Sequence, residues 1–243
     1  MRRFGLIGRN ISYSFSPGYF GNKFRELGLE DCIYEIYDLP QISGFPGLLD
    51  RYPDLEGLNV TIPYKEAVVP YLDHLEEQAA EIGAVNTLRF SRNGLEGYNT
   101  DVIGFRESLR PLLKPTDRSA LILGTGGASK AVAYGLRQLD IPFRFVSRNP
   151  EKGQLSYGEV NAGLLKQCQI LVNCTPLGTH PEVDKAPPLP YTALDTSHLL
   201  YDLIYNPSET TFLKEGRQRG ARTKNGLQML RLQAEASWEI WNS

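Results

Sequence analysis

The chain has few residues with which to make covalent or metal cross-links: three cysteines in 243 residues, Cys32, Cys168 and Cys174. They show no metal-ligand spacing and cannot all pair, so the expectation is a reducing cytoplasm and no metal. A charge excess is missing too. The 26 basic and 28 acidic residues leave a net charge of −2, and nothing in bulk electrostatics draws the chain to nucleic acid or an anionic membrane. Long apolar runs are absent. The opening MRRFGLIGRN begins with two arginines but carries an apolar stretch too short for a signal peptide or a span, so neither is expected. There is no internal repeat and no low-complexity segment, which excludes a repeat architecture.

What remains is an ordinary globular composition, 41% hydrophobic, with enough chain for one large domain or two small ones. The most informative stretch runs from Ser119 to Pro150. Ala120 to Leu123 is an apolar run of buried-strand length, and Gly124, Gly126 and Gly127 follow at once. Ala131, Val132, Gly135, Leu136 and Leu139 recur at helical spacing until Pro142, and Phe143 to Val146 reads as a second strand. A strand, glycine-rich turn, helix and strand in this order predict a dinucleotide site. Glycines let the backbone approach a pyrophosphate, and the helix N-terminus offers unpaired N–H groups to its charge. The second strand ends in Ser147, Arg148 and Asn149, with Lys152 one turn later. An acid there would bind the ribose 2′-hydroxyl of NAD, whereas an arginine can fork onto a 2′-phosphate. The expected cofactor is therefore NADP.

Several polar groups outside this unit are candidates for binding small ligands. Ser12, Ser14 and Ser16 alternate before a helix expected over Gly18 to Leu27. Ser14 and Ser16 can share a face and serve one anion, or simply cap the helix. Asn59 and Thr61 alternate with Leu58, Val60 and Ile62 before Pro63 turns the chain and delivers Lys65 onto a loop. Polar residues at the C-terminal ends of strands are where open α/β sheets bind ligands, although a lone lysine is usually solvated surface. Asn86 lies in AVNTL, read as a strand, and Asp101 in LEGYNTDVIGF. Further strands are expected at Ile170 to Val172 and Leu200 to Ile204. They end in NCTPLG with Thr175 and in YNP with Tyr205. The last helix is expected over Leu227 to Trp241 after Asn225-Gly226, with Gln233 as an ordinary surface glutamine.

In their order, SYSFSP, NVTIPYK, AVNTL, YNTD, GTGGASKA, VSRN, NCTPLG, YDLIYNP and NGLQMLRLQA resemble the motifs of the shikimate dehydrogenase family, from about Gly5 to Trp241. The resemblance implies an α/β protein of two domains. An N-terminal αβ substrate domain, completed by C-terminal helices (1–104 and 226–243), would accompany a Rossmann NADP-binding domain (105–225), with the active site in the cleft between. It implies NADP-dependent, reversible reduction of 3-dehydroshikimate to shikimate in aromatic amino-acid biosynthesis. Lys65 and Asp101 match the catalytic pair; Ser14, Ser16 and Tyr205 match contacts to the substrate carboxylate; Asn59, Thr61, Asn86 and Gln233 match contacts to its hydroxyl groups. Gly124, Gly126, Gly127 and Ala128 match the pyrophosphate loop, Ser147, Arg148 and Lys152 the 2′-phosphate site, and Thr175 and Gly226 segments lining the nicotinamide. No metal, nucleic acid or membrane enters, and the chain would act as a monomer or homodimer.

The chain departs from the family pattern in three places. Ser147-Arg148-Asn149 stands where Asn-Arg-Thr is common, Thr179 follows Gly178 where methionine is common, and helices near Gln154 to Leu165 look trimmed. Two rivals follow: a quinate/shikimate dehydrogenase that uses NAD, and a catalytically silent NADP-binding regulator. Both serines of the pair, the absence of an acid after the second strand, and the retention of Lys65 and Asp101 weigh against them.

Overall fold

Two six-stranded sheets carry the structure, one in each of two compact units, Met1–Thr100 with Ala234–Ser243, and Asp101–Gln233. The computed structural model describes residues 1–12 and 14–243; Tyr13, inside the SYSFSP motif, lies outside the described residues.

In the first unit β1 (Arg2–Gly8) runs parallel to β2 (Cys32–Asp38) and to β3 (Leu55–Val60). β3 then pairs antiparallel with β5 (Thr87–Ser91), which forms a hairpin with β6 (Gly94–Tyr98); the two-residue β4 (His74–Leu75) closes the edge. The order is β2-β1-β3-β5-β6-β4. Helices α1 (Ser16–Glu26), α2 (Phe45–Arg51) and α3 (Glu77–Ile82) connect these strands. Ile7, Leu58, Val60 and Leu88 form one core with Phe45 and Leu48 of α2. On the other side Phe4 meets Phe20 and Phe24 of α1, together with Trp241.

The second unit holds an all-parallel sheet, ordered β12-β11-β10-β7-β8-β9: β7 (Ala120–Leu123), β8 (Phe143–Ser147), β9 (Leu155–Ser156), β10 (Ile170–Asn173), β11 (Leu199–Asp202) and β12 (Arg222–Lys224). β7, β10 and β11 are buried at every position, as apolar strands covered on both faces should be. Helices α4 (Asp101–Leu109), α5 (Gly127–Gln138), α6 (Ala162–Gln167) and α7 (Thr211–Gln218) belong to this unit, and α8 spans Leu227–Trp241 as expected.

Several boundaries differ from the sequence reading. α1 starts at Ser16, because Pro17 fits the first helical turn. Val85 and Asn86 precede β5, and β11 stops at Asp202, leaving Leu203 and Ile204 in a loop. Between Gln154 and Leu165 only the two-residue β9, a 3-10 turn at Tyr157–Glu159 and the short α6 remain. The units divide at 100/101 and 233/234, four and eight residues from the expected 104/105 and 225/226. α4 begins at Asp101, and Gly104 lies against Met229 and Gln233, so the first half of α8 groups with the second unit.

Gly57 shows how tightly the first unit is closed. It sits inside β3, where glycine is entropically unfavourable. A Cβ there would overlap the Trp241 indole, whose Nε1 donates to the Leu88 carbonyl at 2.9 Å. Gly57→Ala is expected to cost about 1–3 kcal/mol by overpacking, read from the urea midpoint together with a red shift of tryptophan emission. An unchanged midpoint would show that the indole moves aside freely.

Candidate functional site

The expected substrate residues of the first unit gather where β3 ends. Asn59 pairs across the sheet with Thr87, one residue beyond Asn86. Both asparagines are buried, at 5% and 2% exposure. The Asn59 Nδ2 donates to Ser237 Oγ at 3.0 Å, and its Oδ1 accepts from the Tyr34 hydroxyl at 2.8 Å. Asn86 Oδ1 accepts the Thr100 N–H at 2.6 Å, and Asn86 Nδ2 donates to Thr100 Oγ1 at 3.0 Å. Thr87, Thr100 and Ser237 close the network with hydroxyl contacts of 2.8 to 3.1 Å. Such satisfied buried networks hold each member in one orientation. Ser237 and Tyr34 were not anticipated from sequence. The available signal for Ser237 was a polar residue four positions beyond Gln233 on the apolar face of α8.

Thr61 leaves the sheet with its N–H on the Ile7 carbonyl, 2.9 Å. Beyond Pro63, Tyr64 is buried and donates its hydroxyl to the Leu39 carbonyl at 2.6 Å. The Lys65 carbonyl accepts from Val85 N at 2.7 Å, next to Asn86. The loop is thus pinned on both sides of a half-buried lysine side chain. The two serines also lie together: Ser14 Oγ contacts Ser16 Oγ at 3.4 Å and accepts from Ser16 N at 3.3 Å. The first residue before α1 is Phe15 and supplies no side-chain cap, so Ser14 reaches the helix start without the usual capping geometry. Burial pushes the Tyr34 phenol up, and the nearby Ser16 hydroxyl opposes that rise.

In the second unit the glycine turn has the properties an anion needs. Gly124 adopts φ +103°, open only to glycine at low cost, and a Cβ there would lie 3.1 Å from Thr175 Cγ2. Gly126 differs: its φ is −76° and a Cβ would meet nothing within 4 Å. Neither strain nor packing calls for glycine there, and the open space fits a phosphate approaching the backbone. Gly126 precedes α5 without a side-chain cap, leaving the first-turn N–H groups of Gly127 and Ala128 and the positive helix end to an anion. Beyond β8, the buried Ser147 hydroxyl accepts from Asn149 N and donates to Asn149 O, both at 3.2 Å. That turn carries Arg148 outward, exposed and without a hydrogen bond or ion pair among the described residues, with Lys152 exposed nearby.

Thr175, Tyr205 and Gly226 lie on loops at one edge of this sheet, after β10, β11 and β12. Asn173 Oδ1 accepts from Thr175 N at 3.0 Å and from Thr175 Oγ1 at 2.7 Å. Gly226 donates to the Ile204 carbonyl at 3.0 Å, and a Cβ on it would overlap the Leu203 backbone. Packing therefore demands this glycine. Asp101 opens α4 at 7% exposure, where the helix end favours a carboxylate. Gln233 is no surface residue: it is 9% exposed, with Nε2 on the Leu230 carbonyl at 3.0 Å. Gly104 provides the room for it. The sequence reading also missed Asp202, a fully buried carboxylate beside Asn173. Among the described residues no group of three or more His, Cys, Asp or Glu could hold a metal ion, and no helix is long and apolar enough to cross a membrane.

The family model described as the shikimate dehydrogenase substrate binding domain matches residues 6–88. A shikimate dehydrogenase (NADP(+)) of Methanococcus maripaludis is 36% identical over 259 residues, covering 98% of this chain and 90% of the relative. One from Carboxydothermus hydrogenoformans is 38% identical over 257 residues, with the same coverage of 98% and 90%. The crystal structure of shikimate 5-dehydrogenase from Thermus thermophilus in complex with NADP(H) and shikimate aligns with a TM-score of 0.88 at 33% identity, covering 99% of this chain and 93% of that one.

Proposed function

Because the chain belongs to the shikimate dehydrogenase family, we propose that it interconverts 3-dehydroshikimate and shikimate with NADP as the hydride carrier. The observation that supports this reading is a set of fixed polar groups in the first unit and an open glycine turn followed by a basic loop in the second. The first unit holds buried, fixed amides around Asn59 and Asn86 beside the pinned Lys65. The second holds an open Gly126 and an uncommitted Arg148. NADPH, when bound, supplies the hydride that reduces the ketone. Gly124, Gly126, Gly127 and Ala128 would hold its pyrophosphate, Ser147, Arg148 and Lys152 its 2′-phosphate, and Thr175 and Gly226 its nicotinamide end. Lys65 delivers the proton that the developing alkoxide needs, and Asp101 is the second member of the catalytic pair. Ser14, Ser16 and Tyr205 take the substrate carboxylate; Thr61, Asn59, Asn86 and Gln233 take its hydroxyls. The three free thiols support a reducing cytoplasm, where the chain would work as a monomer or homodimer.

Steady-state assays of shikimate against quinate, each with NADP+ and NAD+, test this. Turnover of shikimate with NADP+ is the expected result; preference for NAD+ or quinate moves the chain to the broader-specificity enzymes, and NADP+ binding without turnover makes it a regulator. The carboxylate assignment has its own test. Removing both hydroxyls in Ser14→Ala/Ser16→Ala is expected to raise the KM for shikimate by at least tenfold with kcat within about threefold, since each hydrogen bond to a charged group is worth about 1.5–3 kcal/mol. A KM at the wild-type level returns the serines to shaping the start of α1.

A further inference from the structure

Asp202 is the one fully buried carboxylate in the second sheet's ligand edge, and no cation pairs with it among the described residues. Burying an unpaired charge is costly, so what it holds matters. Three donors converge on it: Asn173 Nδ2 at 3.1 Å and Ile204 N at 3.0 Å on Oδ1, and Thr210 Oγ1 at 2.6 Å on Oδ2. Thr210 Oγ1 already accepts the Leu213 N–H as the cap of α7, so its proton is directed to an acceptor. A carboxylate accepts on both oxygens; a neutral amide would do so on one. Burial pushes the Asp202 carboxyl up to about 6, and the bonds from Thr210, Ile204 and Asn173 oppose that rise.

We propose that Asp202 is a positioning residue for the cofactor edge of the second unit, fixing Thr175 through Asn173 and the Tyr205 segment through Ile204 and Thr210. Asn173 and Asp202 are register partners at the last pair of β10 and β11. With its Nδ2 given to Asp202, Asn173 has one orientation, and Oδ1 faces both donors of Thr175. Thr175 in turn packs on Gly124, so a shift of its side chain disturbs the pyrophosphate turn. On the other branch Ile204 carries the N–H held by Asp202 and the carbonyl that seats Gly226. One buried carboxylate thereby ties three loops. The inference rests on the reading of this edge as an NADP site.

The branches separate experimentally. Asn173→Ala cuts only the arm to Thr175 and is expected to weaken NADP+ about fivefold in calorimetry of the free enzyme, with the KM for shikimate within about twofold. Asp202→Ala cuts both arms and raises both constants. The double variant should bind NADP+ no more weakly than Asp202→Ala, because the two act along one chain. Asp202→Asn keeps one acceptor oxygen, enough for Asn173 and Ile204, and is expected to leave NADP+ affinity within about threefold of wild type while losing the acceptor for Thr210. If Asp202→Ala lowers Tm while both constants stay at wild-type values, the residue only stabilises the fold and the proposal fails. Should Asp202→Ala not fold, Asn173→Ala binding NADP+ as tightly as wild type overturns it equally. A wild type with no affinity for NADP+ instead overturns the functional reading itself.

Discussion

In Lys65→Ala, kcat for 3-dehydroshikimate reduction is expected to fall by about 10²-fold or more, while shikimate still binds with an affinity within about threefold of wild type. Ketone reduction ends with a proton on an oxygen that has just received negative charge. A lysine ammonium can donate that proton as a general acid. The local structure makes alanine a clean substitution. The loop is held by the Lys65 carbonyl on Val85 N and by the Tyr64 hydroxyl on the Leu39 carbonyl, neither of which involves the lysine side chain. Removing that side chain takes away an ammonium without releasing its backbone. The measurement is kcat by initial rates beside Kd by calorimetry. A kcat within about threefold of wild type removes Lys65 from the chemistry, and a parallel collapse of Tm would assign it to the fold instead.

What could be read from sequence followed locality. The β7–α5–β8 unit was legible because its signals are short-range: an apolar run, three glycines and a helical period closed by Pro142. The same holds for α8, whose ends at Leu227 and Trp241 agree with the sequence reading. Strands of two or three residues, β4, β9 and β12, offer no period to read. The start of α4 at Asp101 was hidden behind a motif that reads as loop. The site divides in the same way. Lys65 and Arg148 could be nominated from the segments they end, yet the burial of Gln233 depends on Gly104, more than a hundred residues away in sequence. Tyr34, Asn59 and Ser237 share one hydrogen-bond network although they come from β2, β3 and α8. Asp202 stood in a quoted motif, but its role comes from Asn173 and Thr210 converging on it. Pairing between remote polar side chains leaves no periodic trace, and so the supporting residues were the ones missed.

Arg148→Ala is expected to weaken NADP+ by roughly ten- to hundredfold and to leave NAD+ almost unchanged. The guanidinium follows β8, is exposed, and makes no hydrogen bond or ion pair among the described residues, so its fork is available to a phosphate. The Ser147–Asn149 turn holds its backbone without using its side chain. No carboxylate stands at the strand end to favour a ribose hydroxyl. A 2′-phosphate carries close to two negative charges, and a bidentate contact to it is worth about 1.5–3 kcal/mol, which sets the expected factor. Part of that contact is exposed charge attraction, and raising the salt concentration should therefore shrink the wild-type preference for NADP+. The check is kcat/KM for both cofactors in both proteins at two ionic strengths. Equal losses for NADP+ and NAD+ would mean that Arg148 merely supports its loop. A wild type that prefers NAD+ from the outset would remove the 2′-phosphate site altogether, because the residue argued to select NADP would then select nothing.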